Sequence, residues 1–288
     1  MALSHSHSLL HPRIDAHLHF WRYSAGDYPW IGADMRALAV DRTPGHLLPQ
    51  LSACGFTGAI AVQARATVDE TRFLLELARR NDWIRGVVGW EDLTCEGLGE
   101  RLQDWRAEPR LCGWRHQVQD EPDAAAFLGC AAFGRGMALL QRQGWAYDLL
   151  VFHHQMEAAA AFCARHDAHW LVLDHVGKPA LRDWGDGGAP AASRWRDGLR
   201  ELAAMPHVMW QQQGRSRPSP SRSIRFQPCA SPPSCDRFAS SSVSQNQRSP
   251  RRQSISRCLI RNEAVIMRTR LCIQPVCHSS RIPASTTG

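Results

Sequence analysis

Lysine is almost missing from this chain of 288 residues: Lys178 stands alone beside 33 arginines, a bias that reads as GC-rich coding more than as function. Tyrosine is scarce, with three residues, and none of the eleven tryptophans lies beyond Trp210. No run of about 18 apolar residues exists, so no membrane-spanning helix is expected. None of the ten cysteines forms a CxxC pair. Cys54, Cys95, Cys112, Cys130 and Cys163 are scattered through apolar segments and read as reduced, buried thiols, not as a disulfide framework. The opening MALSHSHSLLHPR lacks a long apolar segment and an early basic run. A secretory signal is therefore not expected, and a cytoplasmic protein is the default reading.

Charge is unevenly placed. From Arg215 onward there are thirteen arginines and only two acids, Asp236 and Glu263, which gives that stretch a formal charge of +11. The overall charge is +7, so residues 1–214 carry −4. The pI of 9.1 therefore describes the end of the chain. The mildly acidic body gives no reason to expect nucleic-acid binding.

The body alternates short apolar runs with amphipathic segments. Strand-like runs are expected at RIDAHLHFW (13–21), GFTGAIAVQA (55–64), IRGVVGWEDL (84–93), RLCGWRH (110–116), WAYDLLVF (145–152) and HWLVLDHVGKP (169–179), and HVMW (207–210) begins a seventh. Helices are expected at VDETRFLLELARRN (68–81), LGERLQDW, EAAAAFCARH (157–166) and SRWRDGLRELAAM (193–205). This alternation predicts an α/β fold of the (β/α)8 TIM-barrel type, incomplete, with strands 1–6 and the start of strand 7.

After Trp210 neither periodicity continues. The segment is rich in Ser, Pro and Arg, and reads as a largely disordered tail. Three parts follow: a flexible N-terminus at 1–12, which includes the His-Ser-His of residues 5–7, a partial barrel at 13–210, and an Arg/Ser/Pro-rich tail at 211–288. A linker to a new domain is one reading of the break. A frame change is favoured, because the break falls inside a strand. A tail that binds nucleic acid or an acidic partner is the weaker alternative, since it has neither interleaved aromatics nor Gly-Arg repeats.

Chemistry concentrates where strands end. In Asp15-Ala16-His17-Leu18-His19, alternate side chains share a face, so His17 and His19 project together and can share a divalent metal or polarise a carbonyl. Leu173-Asp174-His175-Val176-Gly177-Lys178-Pro179 ends the sixth strand. There His175 is a catalytic candidate, Lys178 can bind a substrate oxygen, and Asp174 caps or orients. Arg115 and His116 follow the fourth strand, where a guanidinium can hold a carboxylate or carbonyl oxygen, or pair with Asp120 or Glu121 on the surface. His153 and His154 follow the fifth strand, and either can enter the site. Trp21, Trp30 and Trp90 lie near strand ends, where an indole stacks on a sugar or fills the core.

Taken as a set, IDAHLHFWRYSAGDYPWI, LLPQLSACGFTGAIAVQA, DETRFLLELA, GVVGWEDL, LCGWRHQVQDE, YDLLV and LVLDHVGKP resemble the amidohydrolase-2 type of metal-dependent hydrolase, in the branch of L-fuconolactonase and L-rhamnono-lactonase. The resemblance spans residues 13–210. It implies a distorted (β/α)8 barrel and hydrolysis of a small-molecule sugar lactone or a related ester or amide. It assigns catalysis to His175, His17 and His19, with His17 and His19 as candidate metal ligands. Arg115 and His116 would bind substrate, and Lys178, Trp30 and His154 join them from the reading of the residues. The resemblance allows one divalent zinc and equally a metal-independent reaction. It also implies an eighth-strand Asp acting as general base in a GSDWP-like motif. No such motif follows Trp210, and the seventh-strand pattern, usually close to KLSG, reads Gln211-Gln212-Gln213-Gly214. Impaired activity is the expectation. Oligomeric state is left open.

Overall fold

The structure is a computed structural model that describes residues 13–181, 184 and 190–211. The expected tail at 211–288 lies outside the described residues except for Gln211, and so does the N-terminus at 1–12.

Seven strands form one sheet, in the order of the chain: β1 Ile14–Leu18, β2 Gly58–Val62, β3 Ile84–Gly89, β4 Leu111–His116, β5 Ala146–Leu149, β6 Leu171–Leu173 and β7 Val208–Trp210. Every pairing is parallel. A flat sheet would hold β1 and β7 about 29 Å apart, six strand spacings. Instead, His17 Nδ1 on β1 stands 2.7 Å from Oε1 of Gln211, just past β7. The sheet is therefore curled as the expected incomplete barrel. β1 and β7 are its two edges among the described residues.

Among the described residues seven α-helices cover the outside: α1 Pro44–Ala53, α2 Val68–Arg80, α3 Leu98–Asp104, α4 Ala124–Gly129, α5 Ala131–Arg142, α6 Met156–Arg165 and α7 Pro190–Ala203. Among them, α2 shows why these segments are helical. Thr67 caps it by accepting from the Glu70 amide, and Thr71, Leu74, Leu75 and Ala78 bury one face. Three helices, α1, α4 and α5, were not foreseen. Pro49 and a small apolar count masked α1, although Thr43 and Pro44 are ordinary starting residues. In α5 the small residues Ala131, Ala132, Gly134 and Gly136 around Phe133 weakened the pattern. Yet Gly136 is needed there, because a Cβ would sit 1.9 Å from the Leu93 carbonyl oxygen.

The core lies between sheet and helices. Trp114 of β4 is fully buried between the rings of Trp105 and Trp145, each 5.8 Å away. Tyr147 of β5 packs on Phe133 and Phe162. Strand alternation then fixes the other parity: Arg115 and Asp148 point to the interior of the curl. The five body cysteines are thiols, but the expected burial holds for Cys163 alone: Cys54, Cys95 and Cys112 are half-buried and Cys130 is exposed. No helix of the described residues is long and apolar enough to cross a membrane.

Candidate active site

The interior of the curl gathers polar groups at the C-terminal ends of the strands. His17 is 2% exposed, and its tautomer follows from its partners. Nδ1–H donates to the Gln211 amide oxygen at 2.7 Å, which leaves the Nε2 lone pair facing inward. His19 Nδ1–H donates to the Val62 carbonyl at 2.8 Å, so its Nε2 also carries a lone pair. The two Nε2 atoms stand 3.1 Å apart. Burial, and then His17, pulls the His19 imidazole well below its usual value, so it is neutral.

Arg115 reaches across from β4. Its Nη1 donates to Asp174 Oδ2 at 2.9 Å and to His17 Nε2 at 3.2 Å, and Nη2 donates to the Gln63 carbonyl. The surface pairing with Asp120 or Glu121 is thus not what the structure shows. Burial alone would raise the Asp174 carboxyl, but His17 and Arg115 outweigh it and hold the group below its ordinary value. Asp174 is therefore a carboxylate. Its Oδ1 lies 3.5 Å from His17 Nδ1 and makes no hydrogen bond among the described residues. Beside it, Asp148 is buried with Oδ2 unpartnered, and desolvation followed by repulsion from Asp174 pushes its carboxyl well up. One guanidinium therefore faces two buried carboxyls, Asp174 held down and Asp148 pushed up.

After β6 the backbone does something unusual. His175, Val176, Gly177 and Lys178 have φ of 52°, 48°, 69° and 46°, one turn of left-handed helix. Each non-glycine residue there costs about 1–2 kcal/mol, and a β-branched valine is the least suited to it. Gly177 has a second reason to be glycine: a Cβ would lie 2.5 Å from Met156 Sδ. The turn places the His175 ring edge-on to His17, with centroids 4.5 Å apart. His175 Nδ1 is buried without a partner among the described residues. Burial first, then His17, brings this imidazole down to about 3. Lys178 Nζ donates to Gln119 Oε1 and lies 5.3 Å from the Phe152 ring centroid. Burial and then Arg115 lower it as well.

The structure thus brings His17, His19, Arg115 and His175 together, with Lys178 presented by the same turn as His175. Three other expected residues lie elsewhere. His116 shares the parity of Trp114 and faces the helices. Its Nδ1 accepts from Trp90 Nε1 at 3.1 Å, its Nε2–H donates to Glu121 at 2.6 Å, and its ring stacks on Phe127. Trp30 is 41% exposed and packs edge-on against Trp21 in the loop after β1. His154 stacks on Phe152, the ring that Lys178 overlies. Three participants were missed: Asp148, hidden in an apolar strand, Gln63, and Gln211, whose only signal was its place after the last strand.

These residues fit a divalent cation. Donor atoms of His17, Asp174 and His175 lie within 4.8 Å of one another. Zinc–nitrogen bonds of about 2.0–2.1 Å put two imidazole nitrogens on one ion about 3–3.5 Å apart, which the His17–His19 separation matches. The buried, unpartnered Asp174 Oδ1 and His175 Nδ1 are the kind of atoms such an ion satisfies. Imidazole nitrogens and a carboxylate oxygen are also the donor types zinc takes. Arg115 donates to the same His17 Nε2, so an ion would compete with it there.

A family model of amidohydrolases matches residues 14–240. The chain is 57% identical over 197 residues to an L-fucono-1,5-lactonase of Burkholderia multivorans, covering 68% of this chain and 66% of that protein. An L-fucono-1,5-lactonase of Burkholderia ambifaria is 30% identical over 196 residues, covering 68% of this chain and 65% of its own length. The chain therefore spans just under two thirds of the curated relatives it matches. A crystal structure of an amidohydrolase from Burkholderia multivorans with bound zinc superposes with a TM-score of 0.66, at 55% identity over 70% of each chain.

Proposed function

The chain belongs to the amidohydrolase family, and from that premise we propose that residues 13–210 form a sugar-lactone hydrolase unit whose substrate is an aldono-1,5-lactone of the L-fucono type. The observation that carries this reading is the convergence of three imidazoles, a guanidinium and an ammonium on one concave end of a parallel barrel sheet. The 57% identity to an L-fucono-1,5-lactonase points to the substrate.

Lactone opening needs an electrophilic carbonyl, an attacking water and a protonated leaving oxygen. Arg115 donates from a dry wall, where a hydrogen bond to a developing oxyanion is strongest. The unpartnered Nδ1 of His175 is the place for the proton that the water loses as its oxygen bonds to the carbonyl carbon. When the ring C–O bond breaks, Lys178 can give the leaving oxygen its proton, and an aldonate is released. His17 and Asp174 would hold a zinc ion together with His19 or His175, and the ion would supply polarisation of the carbonyl and a more acidic water.

An imidazole brought down to about 3 is a weak base, and no GSDWP-like Asp follows Trp210. Slow hydrolysis is therefore expected, since a base so weak forfeits part of the about 10²–10⁴ in rate that a well-matched one supplies. The test is the full chain incubated with L-fucono-1,5-lactone, its acid product followed by pH-stat against the spontaneous reaction. Enzyme-dependent, saturable acid release supports the proposal. A rate equal to the spontaneous one means an inactive homologue.

A further inference from the structure

The left-handed turn at 175–178 raises a physical question: what prevents Val176 from relaxing to the right-handed region? Its side chain is only partly buried, so packing holds it less tightly than a core valine. The hydrogen bond inside the turn, Lys178 N–H to the His175 carbonyl at 3.0 Å, is available to many turn shapes. The remaining ties come from outside. Trp195, on α7, donates its indole N–H to the Val176 carbonyl at 2.8 Å. His153 Nδ1–H donates to the Lys178 carbonyl at 3.3 Å. Trp184, buried at 8% exposure, sits between them, tilted against the Trp195 ring at 5.7 Å and edge-on to that of His153 at 5.0 Å.

We propose that Trp195 is a positioning residue: by holding the Val176 carbonyl, its indole N–H fixes the left-handed turn that presents His175 and Lys178 to the site, with His153 and Trp184 completing the clamp. The hydrogen bond of Trp195 goes to backbone, not to a reacting group. Rotating Val176 to the right-handed region would swing that carbonyl away and carry the flanking His175 and Lys178 with it. A strained backbone persists only where its surroundings over-determine it, and α7 is the element that does so here. The kinetic part of this inference rests on the lactonase reading above. The structural part does not.

The experiment compares the full-length wild type, Trp195→Phe, Val176→Gly and the double variant. Phenylalanine keeps the ring and removes the donor. Glycine at 176 accepts positive φ without cost, so the turn no longer needs its clamp. Trp195→Phe is expected to lose about ten- to a hundredfold in kcat on L-fucono-1,5-lactone, the scale of a small misplacement of reacting groups, with KM within about twofold. Val176→Gly is expected to restore kcat in the Trp195→Phe background. Crystal structures read the turn directly. The Trp195→Phe chain should leave the left-handed region at 176, and the double variant should return to it.

A Trp195→Phe protein with wild-type kcat and an unchanged turn overturns the proposal, and so does failure of Val176→Gly to rescue it. If the wild type does not hydrolyse the lactone, the function proposed above fails, and the turn in the Trp195→Phe crystal structure alone decides the role of Trp195. If Trp195→Phe does not fold, rescue of folding by Val176→Gly supports the clamp, and absence of rescue refutes it.

Discussion

Arg115 and Asp174, 59 residues apart in sequence, meet at 2.9 Å inside the curl of the sheet, exposed by only 4% and 0%. A pair so dry is a poor source of net stability, because two charges must be stripped of water. Its removal by halves is another matter. Arg115→Met leaves Asp174 a buried, uncompensated charge, and a cost of about 3–5 kcal/mol is expected. Adding Asp174→Asn should recover much of it. Urea unfolding of the two single variants and the double variant measures this, and a coupling near zero would contradict the pairing.

Asp148 supplies a pH test. Its folded carboxyl lies well above the ordinary 3.8, through burial and then Asp174. A raised folded value means stability that is present below the unfolded pKa and lost as pH rises through the folded one. Asp148→Asn has no such loss. The melting temperature of the variant, relative to wild type, should therefore be higher at pH 8 than at pH 4. The same difference at both values would show that Asp148 keeps its charge in the folded chain.

His116 and Arg115 are neighbours with opposite assignments. His116 is spoken for by Trp90, Glu121 and Phe127 on the helix side. His116→Gln is expected to change kcat/KM on the lactone by less than about tenfold, whereas Arg115→Gln loses about 10²–10³, the scale of one oxyanion donor. Equal losses in the two variants would return His116 to the list of substrate contacts.

Zinc binding tests the imidazole pair. The full chain is expected to take up about one ion. His17→Ala and His19→Ala should each weaken uptake by at least about tenfold. Titration calorimetry and elemental analysis read this without reference to activity. Unchanged uptake in both variants would remove the metal from β1.

Much of this was legible in the residues. The strands carry near-continuous apolar runs because both faces of a parallel sheet are covered, and the HxH spacing of His17 and His19 projects both rings to one side through the two-residue period. The partners of those rings were not legible. Asp148 sits in WAYDLLVF, where an inward-facing carboxyl looks like any strand residue, and its proximity to Asp174 depends on the β5–β6 pairing. Arg115 offered two pairings of similar plausibility, and only the strand parity set by Trp114 decides between them. The left-handed turn was invisible, since Val176 argues locally against positive φ and the Trp195 indole that imposes it lies 19 residues away. Helices α4 and α5 were missed because their many alanines and glycines hide the apolar periodicity.

The central claim is that the His175 side of this cluster opens a sugar lactone. Its most direct test is the rate of L-fucono-1,5-lactone hydrolysis at pH 7 by wild type and by His175→Gln, each corrected for the spontaneous reaction. The account predicts saturable hydrolysis by wild type and a loss of about 10²–10⁴ in kcat for the variant, with its melting temperature little changed. A His175→Gln protein as fast as wild type would contradict it.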